Sequence, residues 1–339
     1  MSNYESQQMA NTATAFIFAP DGVTIYVLYT TRIKKLVNNT ASPFVGSFLI
    51  DSVISNPTST YIDGTGTDAA FASIPGPAFA AVTAGGDILV PEGGVNNAQA
   101  GNRVQYALRR VTAGGVVSTI VKGGTCDGCT VSLGYADGST STARFAAVKG
   151  VAVDASGNMY VSDGQNIGQF NRVVRKITLS GMVSTYAGVV GGGDWAVDGP
   201  ASSAVFVSPG ALVVDSVGNV YVTDASSIRK IWVNGTVSTH AGNDPNSQSN
   251  CADSTPSAPK GHFATMGSLV LHSSGTLFVI SCNSVHSVSP NGWVTTVFDS
   301  AGTPLSLSIQ GNTLVIFTSS GIVSADVLTG NTQAFQQSC

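Results

Sequence analysis

The sequence predicts an all-β protein: a six-bladed β-propeller of four-stranded antiparallel blades. Three observations predict it. A unit of four short runs rich in β-branched residues recurs along the chain, Gly, Asn and Asp turns separate the runs, and the copies number six. One such sheet cannot bury both of its faces alone. Units of about 40–50 residues with four strands each bury them by closing into a ring, so that each blade covers the next.

The unit is plainest in two segments. Gly150 to Gly188 opens GVAVDASGNMYVSD and closes RVVRKITLSGMVSTYAG, and Gly210 to Gly242 reads GALVVDSVGNVYVTDASSIRKIWVNGTVSTHAG. The four runs are strands a to d. The a–b hairpin recurs at Phe16–Tyr29, Ala80–Glu92, Leu269–Ser281 and Leu307–Ser319. Strand c recurs as Ile33-Lys34-Lys35-Leu36, Leu108-Arg109-Arg110-Val111, Val174-Arg175-Lys176-Ile177 and Ile228-Arg229-Lys230-Ile231. Strand d follows a Gly turn: GGVVSTIV, SGMVSTYAG, NGTVSTHAG, NGWVTTVF. The inner strands are expected near Thr14–Ala19, Phe79–Thr83, Gly150–Asp154, Ala211–Asp215, Ser268–His272 and Leu305–Ile309. Residues 1–11 form an N-terminal extension and residues 12–339 the propeller.

Two further marks recur. Phe71, Phe145, Phe206 and Phe263 each precede a glycine (Gly76, Gly150, Gly210, Gly267) by four or five residues. The glycine is expected to let the chain turn into the inner strand, and the Phe to wedge between blades. Asp163 and Asp224 end strand b of the two clearest units, and Arg175 and Arg229 lie in strand c of the same units. Strands b and c are neighbours, so each carboxylate can reach its guanidinium. Unit five has Ser281 and His286 in place of both, and unit two keeps Glu92 with Arg109 or Arg110. Loss and retention as pairs predict a structural latch over an Arg-lined ligand site.

The succession of Asp-Gly, Phe, Pro-Gly and then VAVD, GN, YVSD, IRKI, G, VST, AG resembles NHL-repeat propellers. The resemblance spans nearly the whole chain and is strongest in units three and four. It implies the fold and leaves function open, since the family includes protein-binding, RNA-binding, enzymatic and structural members. The amidating lyases that resemble this fold use several axial histidines. The four histidines here form no such set: His240 falls on an outer strand, His286 on strand c, His272 at the end of an inner strand, and His262 in a loop. Lactonase-like propellers use acidic and Asn ligands at the axis, and no such set is assigned here either.

Composition narrows the partners. Charged residues are 10% of the 339 and the net charge is −4, against about 25% charged in a typical soluble domain. No basic run offers phosphate contacts, so no nucleic-acid partner is expected. No stretch approaches about 18 consecutive apolar residues, so no membrane span is expected. No cofactor is expected.

Low charge, two glycosylation sequons (Asn38-Asn39-Thr40 and Asn234-Gly235-Thr236) and five cysteines predict an extracellular or cell-surface protein. Against this, MSNYESQQMA has no apolar h-region, so either the protein is intracellular or the chain begins after a removed or missing leader, and the second is the expectation. Cys126-Asp127-Gly128-Cys129 is a C-x-x-C with no second pair for zinc and no βαβ setting for redox work. A local Cys126–Cys129 disulfide is expected. A Cys251–Cys282 disulfide is expected too, because one lies in the entry and the other at the b–c loop of one blade, within a reach of about 4.4–6.8 Å. Cys339 is left for a contact with another chain.

The a–b and c–d turns are short throughout, whereas 41–61, 91–101, 122–135, 164–171, 189–195 and 243–260 are long. All the long segments are b–c loops or d-to-a crossings, which share one face of an up-and-down propeller. That face is the expected interaction surface of a non-catalytic binding or structural module, with a protein or glycan partner, self-assembly included. The alternative is a metal-dependent hydrolase or lyase with its site on the axis.

Overall fold

The computed structural model describes residues 13–29, 32–37, 40–45, 62–71, 79–93, 106–122, 134–166, 169–242, 260–299, 302–328 and 332–334. They form six antiparallel sheets. Blade one comprises Ala13–Phe18, Ile25–Tyr29, Ile33–Val37 and Thr40–Val45. Strands a to d of blade two are Ala81–Val82, Ile88–Glu92, Ala107–Val111 and Val116–Lys122. Those of blade three are Val148–Val153, Met159–Asn166, Gln169–Ile177 and Met182–Ala187. Blade four has Pro209–Val214, Val220–Asp224, Ser227–Ile231 and Thr236–Gly242. Blade five has Met266–Leu271, Leu277–Ser281, Ser284–Val288 and Val294–Phe298. Blade six has Pro304–Gln310, Thr313–Thr318, Gly321–Asp326 and Thr332–Ala334. Among the described residues no helix is long and apolar enough to cross a membrane.

Blades two, three and four depart from the expected four strands. Each gains a fifth at its outer edge, Gly64–Thr65, Gly138–Ser139 and Gly199–Pro200, paired to strand d of the same blade. Two residues carry no period of alternation, so the sequence pattern reads them as part of a crossing. The expected long loop 164–171 is also partly strand: Gln165 pairs with Phe170 and Asn166 with Gln169, extending the b–c hairpin of blade three.

Short turns on the opposite face are held by their own side chains. Asp154 Oδ1 accepts from the backbone N–H groups of Ser156 and Asn158, both at 2.9 Å. Asp215 Oδ1 does the same for Val217 (3.0 Å) and Asn219 (2.8 Å). These Asx turns explain why that face stays compact.

The core lies between blades. Phe71 packs with Leu28 and Ile33 of blade one and Ile88 of blade two, and Phe206 with Val174 of blade three and Val220 of blade four. Phe145 bridges blades two and three, and Phe263 bridges four and five. Burying one such ring contributes about 1.5–3 kcal/mol. The ring closes where Phe16 of blade one meets Phe317 of blade six edge-on, centroids 4.6 Å apart.

Gly150 and Gly210 serve close approach rather than a turn, whereas a Cβ on Gly267 would make only ordinary contact, 3.6 Å from Ile280 Cβ. Neither Gly150 nor Gly210 has a left-handed backbone. A Cβ on Gly150 would stand 2.4 Å from Gly210 O, and one on Gly210 would stand 2.8 Å from Thr223 Oγ1. Gly76 lies outside the described residues.

Candidate functional site

Strand b of blades two and four ends in a fully buried carboxylate, Glu92 and Asp224; in blade three the hairpin runs on to Asn166, so Asp163 stands within strand b rather than at its end, and in all three blades strand c carries a fully buried arginine beside the carboxylate. Arg175 Nη1 donates to Asp163 Oδ2 at 3.1 Å, Arg229 Nη1 to Asp224 Oδ2 at 3.2 Å, and Arg109 Nη1 to Glu92 Oε2 at 2.8 Å. The other arm of each guanidinium reaches a second carboxylate, that of the Asp in the Asp-Gly mark. Arg175 Nη2 donates to Asp137 Oδ1 at 2.7 Å, Arg229 Nη2 to Asp198 Oδ1 at 2.7 Å, and Arg109 Nη2 to Asp63 Oδ1 at 2.9 Å. The same nitrogens donate to loop carbonyls: Arg144 and Ala136 in blade three, Val205 and Val197 in blade four. Each arginine also lies over its blade's wedge, 4.7 Å from the Phe145 centroid, 5.2 Å from Phe206 and 5.4 Å from Phe71.

The inner carboxylates do further work. Asp163 Oδ1 accepts from Ala146 and Ala147 N–H, and Asp224 Oδ1 from Val207 and Ser208 N–H. Burial pushes Asp163 up to about 6, against the pull of Asn171, the two amides and Arg175. Burial likewise raises Asp224. Blade five runs the same corner without a carboxylate or a guanidinium: Ser281 Oγ accepts from Ala264 N–H at 3.1 Å, and the His286 ring lies edge-on to Phe263. The outer Asp of the clip was missed from sequence. Its signal was there, in the Asp-Gly that precedes each Phe by eight residues in blades two, three and four.

The axis opens into a cavity of about 450 Å³ on the face of the b–c turns and d–a crossings. Phe79 of blade two, Lys149 of blade three, Thr223 and Ser226 of blade four, and Phe263 and Met266 of blade five line it. Phe79 was expected to open an inner strand. It stands before that strand and its ring reaches blade four, where a Cβ on Gly210 would lie 3.7 Å from its Cε1. The b–c turn beside the cavity has only Ala225 and Ser226 between paired residues, with Ala225 left-handed at φ 51.

The remaining expected residues are dispersed. Asn234 is exposed in the c–d turn of blade four, on the opposite face, and its Oδ1 accepts from Thr236 N–H. Asn38, Cys126, Cys129, Cys251 and Cys339 lie outside the described residues. Cys282 is disulfide-bonded and sits with Asn283 in a two-residue left-handed b–c turn. His240 packs edge-on against Tyr221, and burial beside Lys230 holds its imidazole down at about 4, so it is neutral at pH 7. His272 bonds to Ser274 and Asn312, and His286 to Thr296 and Ser281 O. Among the described residues no three His, Cys, Asp or Glu side chains gather as a metal site requires.

No family model matches the sequence, and no curated protein matches it. Solved structures match in fold. An auxiliary nutrient binding protein from Bacteroides thetaiotaomicron VPI-5482 gives a TM-score of 0.56 at 10% identity, over 90% of this chain and 66% of that one. One from Bacteroides ovatus ATCC 8483 gives 0.54 at 10%, over 95% and 69%. A structural genomics protein of unknown function from Bacteroides thetaiotaomicron gives 0.52 at 14%, over 92% and 69%. The chain therefore spans about two thirds of the length of these structures, and the likeness is one of fold: a β-propeller, here with six blades.

Proposed function

We propose that this chain is a non-catalytic binding propeller of NHL-like blades, acting outside the cell or at its surface. Its interaction surface is the face of the long b–c loops and d–a crossings. The observation that carries this reading is the axial cavity, which opens on that face and gathers side chains from four blades. Among the described residues the turns of the opposite face are short, and those at Asp154 and Asp215 are internally bonded. The fold neighbours described as nutrient binding proteins support a binding role, and a protein or glycan is the partner, self-assembly included. The Asp163–Arg175 and Asp224–Arg229 pairs are read as latches that fix each crossing to its blade, leaving the loops above free to vary. A glycan on Asn234 would project from the opposite face, and one on Asn38 completes the expected modification.

The test is a binding screen of the intact protein on immobilised glycans and on extracellular protein extracts. Shortening 94–101 or 243–259 is expected to abolish any binding found. Charge reversal at Asp154 and Asp215, on the other face, is expected to leave it intact. The reverse pattern overturns the assignment. For the thiols we propose Cys251–Cys282 and Cys126–Cys129 disulfides, with Cys339 contacting another chain. Peptide mapping after alkylation without reduction is expected to recover both cystine peptides. Three or more free thiols would overturn the pairing and the extracellular placement together.

A further inference from the structure

Lys149 belongs to strand a of blade three and lines the axial cavity, half-buried. Among the described residues, every other lysine and arginine has a partner. Arg109, Arg175 and Arg229 each hold two carboxylates. Arg110 pairs with Asp87, Arg172 with Asp194, and Arg144 and Lys260 with carbonyls. Arg32, Lys34, Lys35, Lys176 and Lys230 lie over aromatic rings, and Lys122 also interacts. Lys149 has neither counter-charge nor ring nor hydrogen bond among them. Burial pushes it below the ordinary lysine value, with no charged neighbour acting on it. A desolvated ammonium without a partner is a standing cost in a folded protein, and an entering anion would relieve it.

Two other features of the cavity point the same way. Ser226 is one of the residues that line the cavity, and its Oγ is buried without a hydrogen-bond partner. Phe79 and Phe263 supply flat apolar surface, and Thr223 a further hydroxyl. A volume of about 450 Å³ falls within the range of small-molecule sites.

We propose that the axial cavity binds a small organic carboxylate, its anionic group on Lys149 and Ser226 and its body against Phe79. The inference rests on the binding-face reading above and names a ligand class for it. The chemistry fits a sugar acid as well as an aromatic acid, and the probes below separate the two sources.

The experiment is calorimetric titration of the intact protein with sodium glucuronate and sodium phenylacetate, each beside its neutral counterpart, glucose and phenylacetamide. At least one acid is expected to bind saturably, with its neutral counterpart at least about tenfold weaker. Lys149→Met is expected to weaken the acid by at least about tenfold while melting as the wild type does. Preference for glucuronate assigns a hydroxylated acid, and preference for phenylacetate an aromatic one. The absence of saturable binding by both acids overturns the proposal, as does equal binding of acid and neutral counterpart, or binding that survives Lys149→Met. Should Lys149→Met not fold, the acid-against-neutral comparison on the wild type decides alone. Glycan or protein binding by the loops that Lys149→Met leaves unchanged, without acid binding, would uphold the binding face and reject the cavity ligand.

Discussion

Replacing Arg175 by methionine is expected to lower the unfolding free energy by about 3–5 kcal/mol, the loss that follows when one partner of a buried ion pair is removed. The guanidinium is fully buried between the rings of Tyr135 and Phe145, each 4.7 Å away, and joins Asp163, Asp137 and two loop carbonyls. Methionine keeps much of the volume and ring contact but none of the four hydrogen bonds. Asp163 then stays buried with only Asn171 and two amides to hold its charge. Its carboxyl already stands at about 6, above the ordinary 3.8, and loss of the arginine raises it further. A carboxyl whose folded value exceeds its unfolded one binds protons more tightly in the folded state. Its contribution is present at low pH and lost as pH rises through the folded value. The loss in Arg175→Met is therefore expected to be smaller near about pH 5 than near about pH 8. Urea titration followed by tryptophan emission at both pH values measures this. A loss under about 1 kcal/mol, the level of an exposed pair, would show that the arginine does not fasten the crossing.

The ring of six blades was legible because strands a to d each carry several β-branched residues bounded by Gly, Asn or Asp, and because the unit repeats. The inner half of the clip was legible for a different reason. Asp163 with Arg175, and Asp224 with Arg229, stand at fixed positions in neighbouring strands, and blade five replaces both members at once with Ser281 and His286. The outer half was missed although its Asp-Gly recurs eight residues before each Phe, because Asp137 is 38 residues from Arg175 in sequence and nothing local ties that mark to the arginine. The axial cavity was illegible for the same reason. Phe79, Lys149 and Ser226 come from three blades, and only ring closure sets them around one space. Nor does Lys149 stand out in a strand reading Val148-Lys149-Gly150; its lack of a partner is a property of the folded surroundings.

Gly150→Ala is expected to lower stability by about 2 kcal/mol, for a reason that only the closed ring supplies. The added Cβ would stand 2.4 Å from Gly210 O and 3.0 Å from Leu212 Cδ1. The first contact is with backbone in the inner strand of the next blade, and that oxygen also accepts from Ser162 Oγ at 2.8 Å. It cannot move without displacing blade four or breaking the bond. Overpacking of this kind costs about 1–3 kcal/mol. A clash with backbone that cannot yield puts the cost at the upper end, about 3 kcal/mol, and removing a glycine from the unfolded chain offsets about 0.4–1 kcal/mol of it, which leaves a net loss of about 2 kcal/mol. Gly193→Ala is the control: nothing lies within 4 Å of its Cβ, and its backbone is not left-handed. There only the unfolded-state term acts, so a gain of less than about 1 kcal/mol is expected. Both variants are compared with wild type by chemical unfolding. The alanine at 150 also pushes apart the strands that carry Lys149 and Gly210, so it is expected to weaken acid binding along with stability. Equal stability of the two variants would mean that the inner strands of blades three and four stand farther apart than this, and that Lys149 and Ser226 do not share one cavity wall.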